Sequence, residues 1–293
     1  MRVTSRHKTW LIAYAFLLPA LAGLFVFRIY PIGLALWGSL HTATFGIRPR
    51  QIFVGLENYV DIFGDPIFWQ SVGTTLRLNI IINPLQIALA LLLAVMANQR
   101  LRGIGVYRTI FFIPIGVSLP IAAIIWRMML DPNAGLVNGM LIQLNLPPQP
   151  FLTSANQALW SIILIASWKG VSFWMLFILA GLQNIPVQYY EAAMLDGASA
   201  FRRFIHITVP LLKRVLLFVL VVDTSVNFLL FVPMYLLTGG GPSLSTNVLM
   251  YEAFKTGFIY TDLGRSLAMV LMLLALILVV VAVQFRLLQV RER

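Results

Sequence analysis

Positions 78–97, between Arg77 and Arg100, and positions 266–285, between Arg265 and Arg286, are apolar runs of twenty residues, each free of formal charge. A helix rises about 1.5 Å per residue, so such a run covers the roughly 30 Å of a bilayer's hydrocarbon. Four more stretches qualify by charge spacing and apolar content, giving six expected transmembrane helices at 10–30, 78–97, 109–129, 158–181, 215–233 and 266–285. Composition agrees: 60% of residues are hydrophobic and 11% charged, against about half and about a quarter in soluble domains. A soluble fold would lack polar side chains to cover its surface, and a disordered chain would need far lower hydrophobicity. With no cysteine there is no disulfide framework, thiolate metal site or cysteine nucleophile. The expected fold class is an all-α integral membrane protein, a single transmembrane domain over residues 1–293.

Six spans put both termini on one side. That side collects Arg2, Arg6, Lys8, Arg100, Arg102, Arg108, Arg202, Arg203, Lys213, Arg214, Arg286, Arg291 and Arg293, thirteen of the 21 basic residues. The opposite loops carry Arg48, Arg50 and Lys255 among Glu57, Asp61, Asp65, Asp131, Glu252 and Asp262. The positive-inside rule places both termini in the cytoplasm. The net charge of +11 is then a topology signal with a secondary attraction to membrane lipid headgroups. No basic, aromatic-interleaved module exists to serve a nucleic acid. Basic residues, an apolar run and Ala20-Leu21-Ala22 imitate a signal peptide, but apolar character continues to Leu40, which favours a retained helix.

The longest cytoplasmic segment, 182–214, is expected to fold as a short helix with Pro186 near its first turn, a bend at Gly197, and a second helical piece over 198–207 leading to Pro210. Taken alone this could be an amphipathic elbow on the membrane surface. Its spacing is more specific. Glu191-Ala192-Ala193, three residues, Gly197, nine residues, Ile207, Thr208, then Val209-Pro210 resembles the EAA loop of binding-protein-dependent ABC transporter permeases. The only departure is Val209, where that loop has leucine. The likeness extends over most of the chain and narrows to the maltose-type carbohydrate group. It is carried by Tyr30-Pro31-Ile32, by Val54-Gly55-Leu56-Glu57-Asn58-Tyr59 and by Asn133-Ala134-Gly135-Leu136-Val137-Asn138. Thr238-Gly239-Gly240-Gly241-Pro242 and Leu263-Gly264-Arg265-Ser266 complete it. These features are more similar to the first permease of such systems than to its shorter partner.

The resemblance implies a coupling helix, docked on a cytoplasmic ATPase, between spans four and five. The residues carried over are Glu191, Ala192, Ala193, Asp196, Gly197, Ala198, Ile207 and Pro210. It also implies a second permease subunit, two ATPase subunits and an extracytoplasmic solute-binding protein. No cofactor is expected on this chain, with ATP and Mg bound by the partner ATPase. Gly239, Gly240 and Gly241 are not followed by the lysine a phosphate-binding loop needs, and read as a turn. The chain is therefore expected to be a transporter subunit and not an enzyme, consistent with three scattered histidines and no His-Glu-x-x-His pair. An ion-coupled secondary transporter is the other transport class, and the EAA spacing disfavours it.

Ionisable groups at membrane depth are costly and face a bundle interior or a cavity. Lys169 lies near the middle of the fourth span and Asp223 roughly midway along the fifth, either a substrate-facing pair or an internal salt bridge. Asn79, Asn83 and Gln86 share one face of the second span, as Asp223 and Asn227 do on the fifth. With Trp168 they form the candidate substrate path. The polar stripes read equally as interhelical glue, and the aromatics Trp168, Phe173 and Trp174 as packing. A sugar or polyol is the expected substrate, with glycerol-3-phosphate as the alternative.

Overall fold

The computed structural model describes residues 3–44, 50–99 and 101–288. Arg2, Arg48, Arg100, Arg291 and Arg293 lie outside them. The described chain is helical almost throughout, as lipid demands of backbone with no water to bond. Two compact units group the chain: Met1–Asp65 with Ala253–Met272, and Pro66–Glu252 with Leu273–Arg293.

In the first unit, α1 (Val3–Leu24) runs through a π-helical stretch (Phe25–Ile29) into α2 (Tyr30–Ser39), so the first helix extends well past the expected end at 30. Tyr30-Pro31 does not end it, because Pro31 occupies the first turn of α2, where a missing N–H costs least. A short antiparallel hairpin follows, β1 (His41–Thr44) with β2 (Arg50–Phe53), His41 opposite Phe53. It is a small β element that the apolar pattern did not signal. Next comes α3 (Glu57–Gly64). Asn58 Nδ2 donates to the carbonyls of Ser39 at 2.8 Å and His41 at 3.1 Å. The Tyr59 hydroxyl lies 2.7 Å from Ser39 Oγ. Gly264 passes so close that a β-carbon there would overlap the His41 carbonyl and the Asn58 amide. Arg265 pairs with Asp65 at 3.3 Å, and Ser266 Oγ donates to Ala253 O at 2.7 Å. The two motifs around Asn58 and Gly264, far apart in sequence, are thus one interlocked joint.

The second unit is built on α4 (Pro66–Ala97), which begins well before the expected position 78. The third apolar segment is not one helix. It breaks into α5 (Ile104–Gly116) and α6 (Leu119–Met129), bent by 99°. Pro120 has no N–H to offer the Gly116 carbonyl, and Val117 and Ser118 are extended. Five helices are long and apolar enough to cross a membrane among the described residues, and the bent pair makes six if it counts as one span.

A polar segment containing α7 (Leu136–Gln143) follows. Backbone N–H groups of Ala134 and Asn133 hold the Asp131 carboxyl below the usual carboxylate range. Buried Asn138 ties the segment together, donating to Pro132 O and Gln149 O and accepting from Gln149 N.

Next, α8 (Ala158–Gln183) packs along α4. Ala90, Ala94 and Ala97 on α4 are buried against Val171, Trp174, Met175 and Ile178 on α8. Small residues let the backbones approach, most closely at Gly170, where a β-carbon would collide with Gln86. Arg108 donates from Nε and Nη2 to Ala97 O at 3.0 and 2.8 Å, capping the end of α4.

Then come α9 (Val187–Leu195), α10 (Ala200–Arg203), a π-helical stretch (Phe204–Thr208) and α11 (Val209–Phe228). The fifth helix starts before the expected 215 and ends before 233, since Pro233 cannot donate back to Leu229. The glycine turn at 238–242 is fixed by Thr246, whose Oγ1 donates to Gly241 O and lies 2.7 Å from Thr238 Oγ1. Finally come α12 (Leu249–Phe254) and α13 (Leu263–Leu288).

Gly264→Val is expected to lower the melting temperature of the purified protein, because overpacking of this kind costs about 1–3 kcal/mol. A melting temperature equal to that of the unaltered chain would contradict the joint at His41 and Asn58.

Candidate substrate path and coupling segment

The polar stripes of α4 and α11 meet. Asn83 Nδ2 donates to Thr224 Oγ1 at 3.0 Å, and Asn227 Nδ2 donates to Asn83 Oδ1 at 2.8 Å. Asn79 Nδ2 bonds Thr75 O at 2.9 Å within its own helix. From α13, Gln284 Nε2 donates to Thr224 Oγ1 at 2.8 Å. Asp223 is 1% exposed and is satisfied by neutral donors. Trp174 Nε1 reaches Oδ1 at 2.6 Å and Asn227 Nδ2 at 3.0 Å. The Gln86 amide, with its nitrogen toward the carboxylate, donates to Oδ1 at 2.6 Å. A buried carboxylate is tolerated when donors surround it in this way.

Beside this seam lies a cavity of about 200 Å³. Its walls include Gln86 of α4, Ile115 and Leu119 at the α5–α6 break, Lys169, Gly170, Phe173 and Trp174 of α8, and Asp223 and Asn227 of α11. Lys169 does not pair with Asp223. Its ammonium donates to Pro114 O at 3.4 Å, to Ile115 O at 3.0 Å and to Val117 O, so the expected salt bridge is absent. Cations are favoured at a helix C-terminus, where carbonyls lack partners and the helix dipole is negative. Trp168 stands apart from the cavity. It lines a separate apolar pocket of about 720 Å³, edge-on to Trp126. The reason is helical spacing: Phe173 and Trp174 stand four residues beyond Lys169 and Gly170 and share their face, whereas Trp168 is turned about 100° from Lys169.

The segment after α8 has the expected outline. Pro186 stands immediately before α9. Gly197 has φ +75°, its N–H donates to Met194 O at 3.1 Å, and Ala198 N donates to Ala193 O at 2.9 Å. This is a Schellman ending, and glycine supplies its left-handed residue. Ser199 Oγ then accepts from Arg202 N at 3.3 Å and starts the next helix. No residue of α9 is buried. Glu191, Ala192, Asp196, Gly197 and Pro210 are exposed, and Ala193, Ala198 and Ile207 half-buried. Leu195 is 91% exposed, an apolar side chain presented to the outside. A side-chain contact ties α9 to the π-helical stretch at 204–208: the Tyr190 hydroxyl lies 3.0 Å from Thr208 Oγ1. His206 is exposed, its Nδ1 3.0 Å from Arg202 O.

Residues 86–290 match the family described as the binding-protein-dependent transport system inner membrane component. The chain belongs to this family. It is 35% identical over 287 residues to the sn-glycerol-3-phosphate transport system permease protein UgpA of Yersinia pestis bv. Antiqua (strain Antiqua), covering 97% of this chain and 96% of the relative. It is 38% identical over 259 residues to the trehalose/maltose transport system permease protein MalF of Thermococcus litoralis, covering 88% and 86%. A bacterial alginate ABC transporter solved in complex with an alginate pentasaccharide-bound periplasmic protein contains a chain with the same fold. Its TM-score is 0.84 at 22% identity, over 99% of this chain and 98% of that one. As a family member the chain is a multi-pass inner membrane permease subunit of an ABC importer.

Within this permease the structure joins Asn83, Gln86, Asp223 and Asn227 into one constellation, with Asn79 at its end and Lys169 on the facing wall of the cavity. Sequence reasoning missed Thr224 and Gln284, which complete the network, and took Trp174 for an apolar face where its indole N–H is the closest indole donor to Asp223. The signals were present: Thr224 adjoins Asp223, and Gln284 is the one polar side chain in the apolar stretch 267–285.

Asn227→Leu removes one donor from Asp223 and one from Asn83. Leaving buried partners unsatisfied costs about 1–3 kcal/mol each, so the detergent-purified protein should melt measurably lower. An unchanged melting temperature would mean that water already satisfies the seam.

Proposed function

We propose that this permease passes a neutral, polyhydroxylated solute, a sugar or polyol, along the seam of α4, α8 and α11, and that residues 1–293 act as one transmembrane domain. The observation that carries this reading is the chemistry of the cavity. Amides, an indole N–H and a carboxylate already satisfied by neutral donors are groups that exchange hydrogen bonds with hydroxyls. The one ammonium on the wall is committed to backbone carbonyls, so the described residues of the walls offer no free cation to pair with a phosphate. At about 200 Å³ the cavity is smaller than the roughly 300–1,000 Å³ of common ligand sites, which suits one half of a pathway completed by a second permease subunit. The second reading, glycerol-3-phosphate, is favoured by the 35% identical relative named for that solute.

In this reading α9 is a coupling helix. Glu191, Ala192, Ala193, Asp196, Gly197 and Ala198 meet a cytoplasmic ATPase, while Ile207 and Pro210 set the start of the fifth span. Exposed apolar residues on a helix outside the spans support it, since Leu195 and Met194 gain by being covered. Two such ATPase subunits bind ATP and Mg, an extracytoplasmic solute-binding protein delivers the solute, and both termini lie in the cytoplasm.

Two experiments test these assignments. In a thermal-shift screen of the cognate binding protein, neutral sugars or polyols should raise the melting temperature and sn-glycerol-3-phosphate should not. Stabilisation by sn-glycerol-3-phosphate alone would replace the first reading with the second. In the reconstituted importer, Glu191→Lys or Gly197→Leu should lower uptake per ATP hydrolysed by roughly tenfold or more, the scale of losing a central docking contact. Full uptake by both variants would remove α9 from the coupling role.

A further inference from the structure

Lys169 is an intramembrane cation whose role follows from hydrogen-bond accounting. The last turn of α5 leaves carbonyls without intrahelical partners, because the helix stops at Gly116 and the chain turns by 99° into α6. Broken backbone at membrane depth persists only where protein or a wet cavity satisfies it. A lysine ammonium has three N–H donors, and Lys169 directs them at three carbonyls of this elbow: Pro114, Ile115 and Val117. Donors and acceptors match one to one, with Pro114 O also accepting from Val117 N at 3.3 Å. Ile115 and Leu119, on either side of the break, line the same cavity as Gln86, Asp223 and Asn227. The cation therefore fixes the shape of a cavity wall.

We propose that Lys169 is a positioning residue for translocation, a latch that holds the α5–α6 elbow as a wall of the polar cavity without touching the solute. When the latch is lost, the elbow loosens and the cavity opens on that side. A cation at 169 is then required for controlled access, whichever solute the importer carries.

The chain contains no cysteine, so labelling read on this subunit alone, after it is separated from its partners, reports the single introduced thiol. Ile115→Cys is placed in the full permease, assembled with its partner subunits in membrane vesicles. Its reaction rate with a membrane-impermeant methanethiosulfonate is measured with lysine, methionine, glutamine or arginine at 169. Lys169→Met should raise the labelling rate at least about tenfold, since a charged donor to several carbonyls is lost. Lys169→Gln, which keeps two donors and covers the case in which the methionine variant fails to assemble, should fall between. Lys169→Arg should restore slow labelling.

The Ala90→Cys thiol, in the α4–α8 core where Ala90 is 0% exposed, serves as the control. It should stay unreactive in every variant. Equal labelling of Ile115→Cys with lysine, methionine and glutamine at 169 would overturn the proposal. So would a rise at Ala90→Cys that matches the rise at Ile115→Cys, which would mark general loosening. No solute enters this assay, so its outcome is independent of whether the permease carries a sugar.

Discussion

A backbone carbonyl that loses its helical partner inside a bilayer has no water to turn to. That constraint governs the arrangement of this permease more than any single side-chain contact does. It forces nearly the whole described chain into helices, and it makes every irregularity need a partner. The two clearest partners are cations. Arg108 closes the end of α4 on Ala97, and Lys169 closes the end of α5 at the break. Arg108 counts in sequence as a topology signal and Lys169 as a possible ion-pair partner. Both turn out to be caps on helix C-termini, where the helix dipole welcomes them.

With Lys169 committed to α5, Asp223 must be satisfied by other groups, and the seam does this with neutral donors. The result is a buried constellation whose members can trade hydrogen bonds with hydroxyls without moving a net charge. The same side chains, with Thr224 and Gln284, hold α4, α8, α11 and the later part of α13 together. Glue and path are therefore not competing readings of the polar stripes. Asn227 bonds Asn83 across the helices and also lines the cavity.

Much of this was legible in the sequence. Charge-free runs located the long helices, and i, i+4 spacing placed Asn83 and Asn227 on faces that meet. The EAA spacing anticipated the bend at Gly197, which the structure explains as a Schellman ending. What was not legible has physical reasons. Helix α4 begins before its apolar core because helical hydrogen bonding continues through polar residues that hydropathy discounts, whereas α2 carries the first helix on through apolar residues because Pro31 falls in its first turn. The 99° break lay hidden because its residues are as apolar as any span; only Pro114, Gly116 and Pro120 mark it, and prolines elsewhere, such as Pro84 inside α4, leave a helix uninterrupted. The fate of Lys169 depended on that break, so it could not be read before the break was known. Gln284 was overlooked because a single polar residue in an apolar helix has no periodicity to announce it, and Thr224 because the ionisable Asp223 beside it drew the reading.

The central proposal is that solute crosses this subunit along the seam of Gln86, Asp223 and Asn227. The most direct measurement is a structure of the assembled importer, with its binding protein and ATPase subunits, trapped while solute is in the membrane. The claim requires solute density within hydrogen-bonding distance of Asn227 or Gln86, with the Asn83–Asn227 contact at its edge. Solute bound elsewhere in the membrane, with Trp174, Asn227 and Gln86 still closed around Asp223, would contradict it and leave the seam as packing alone.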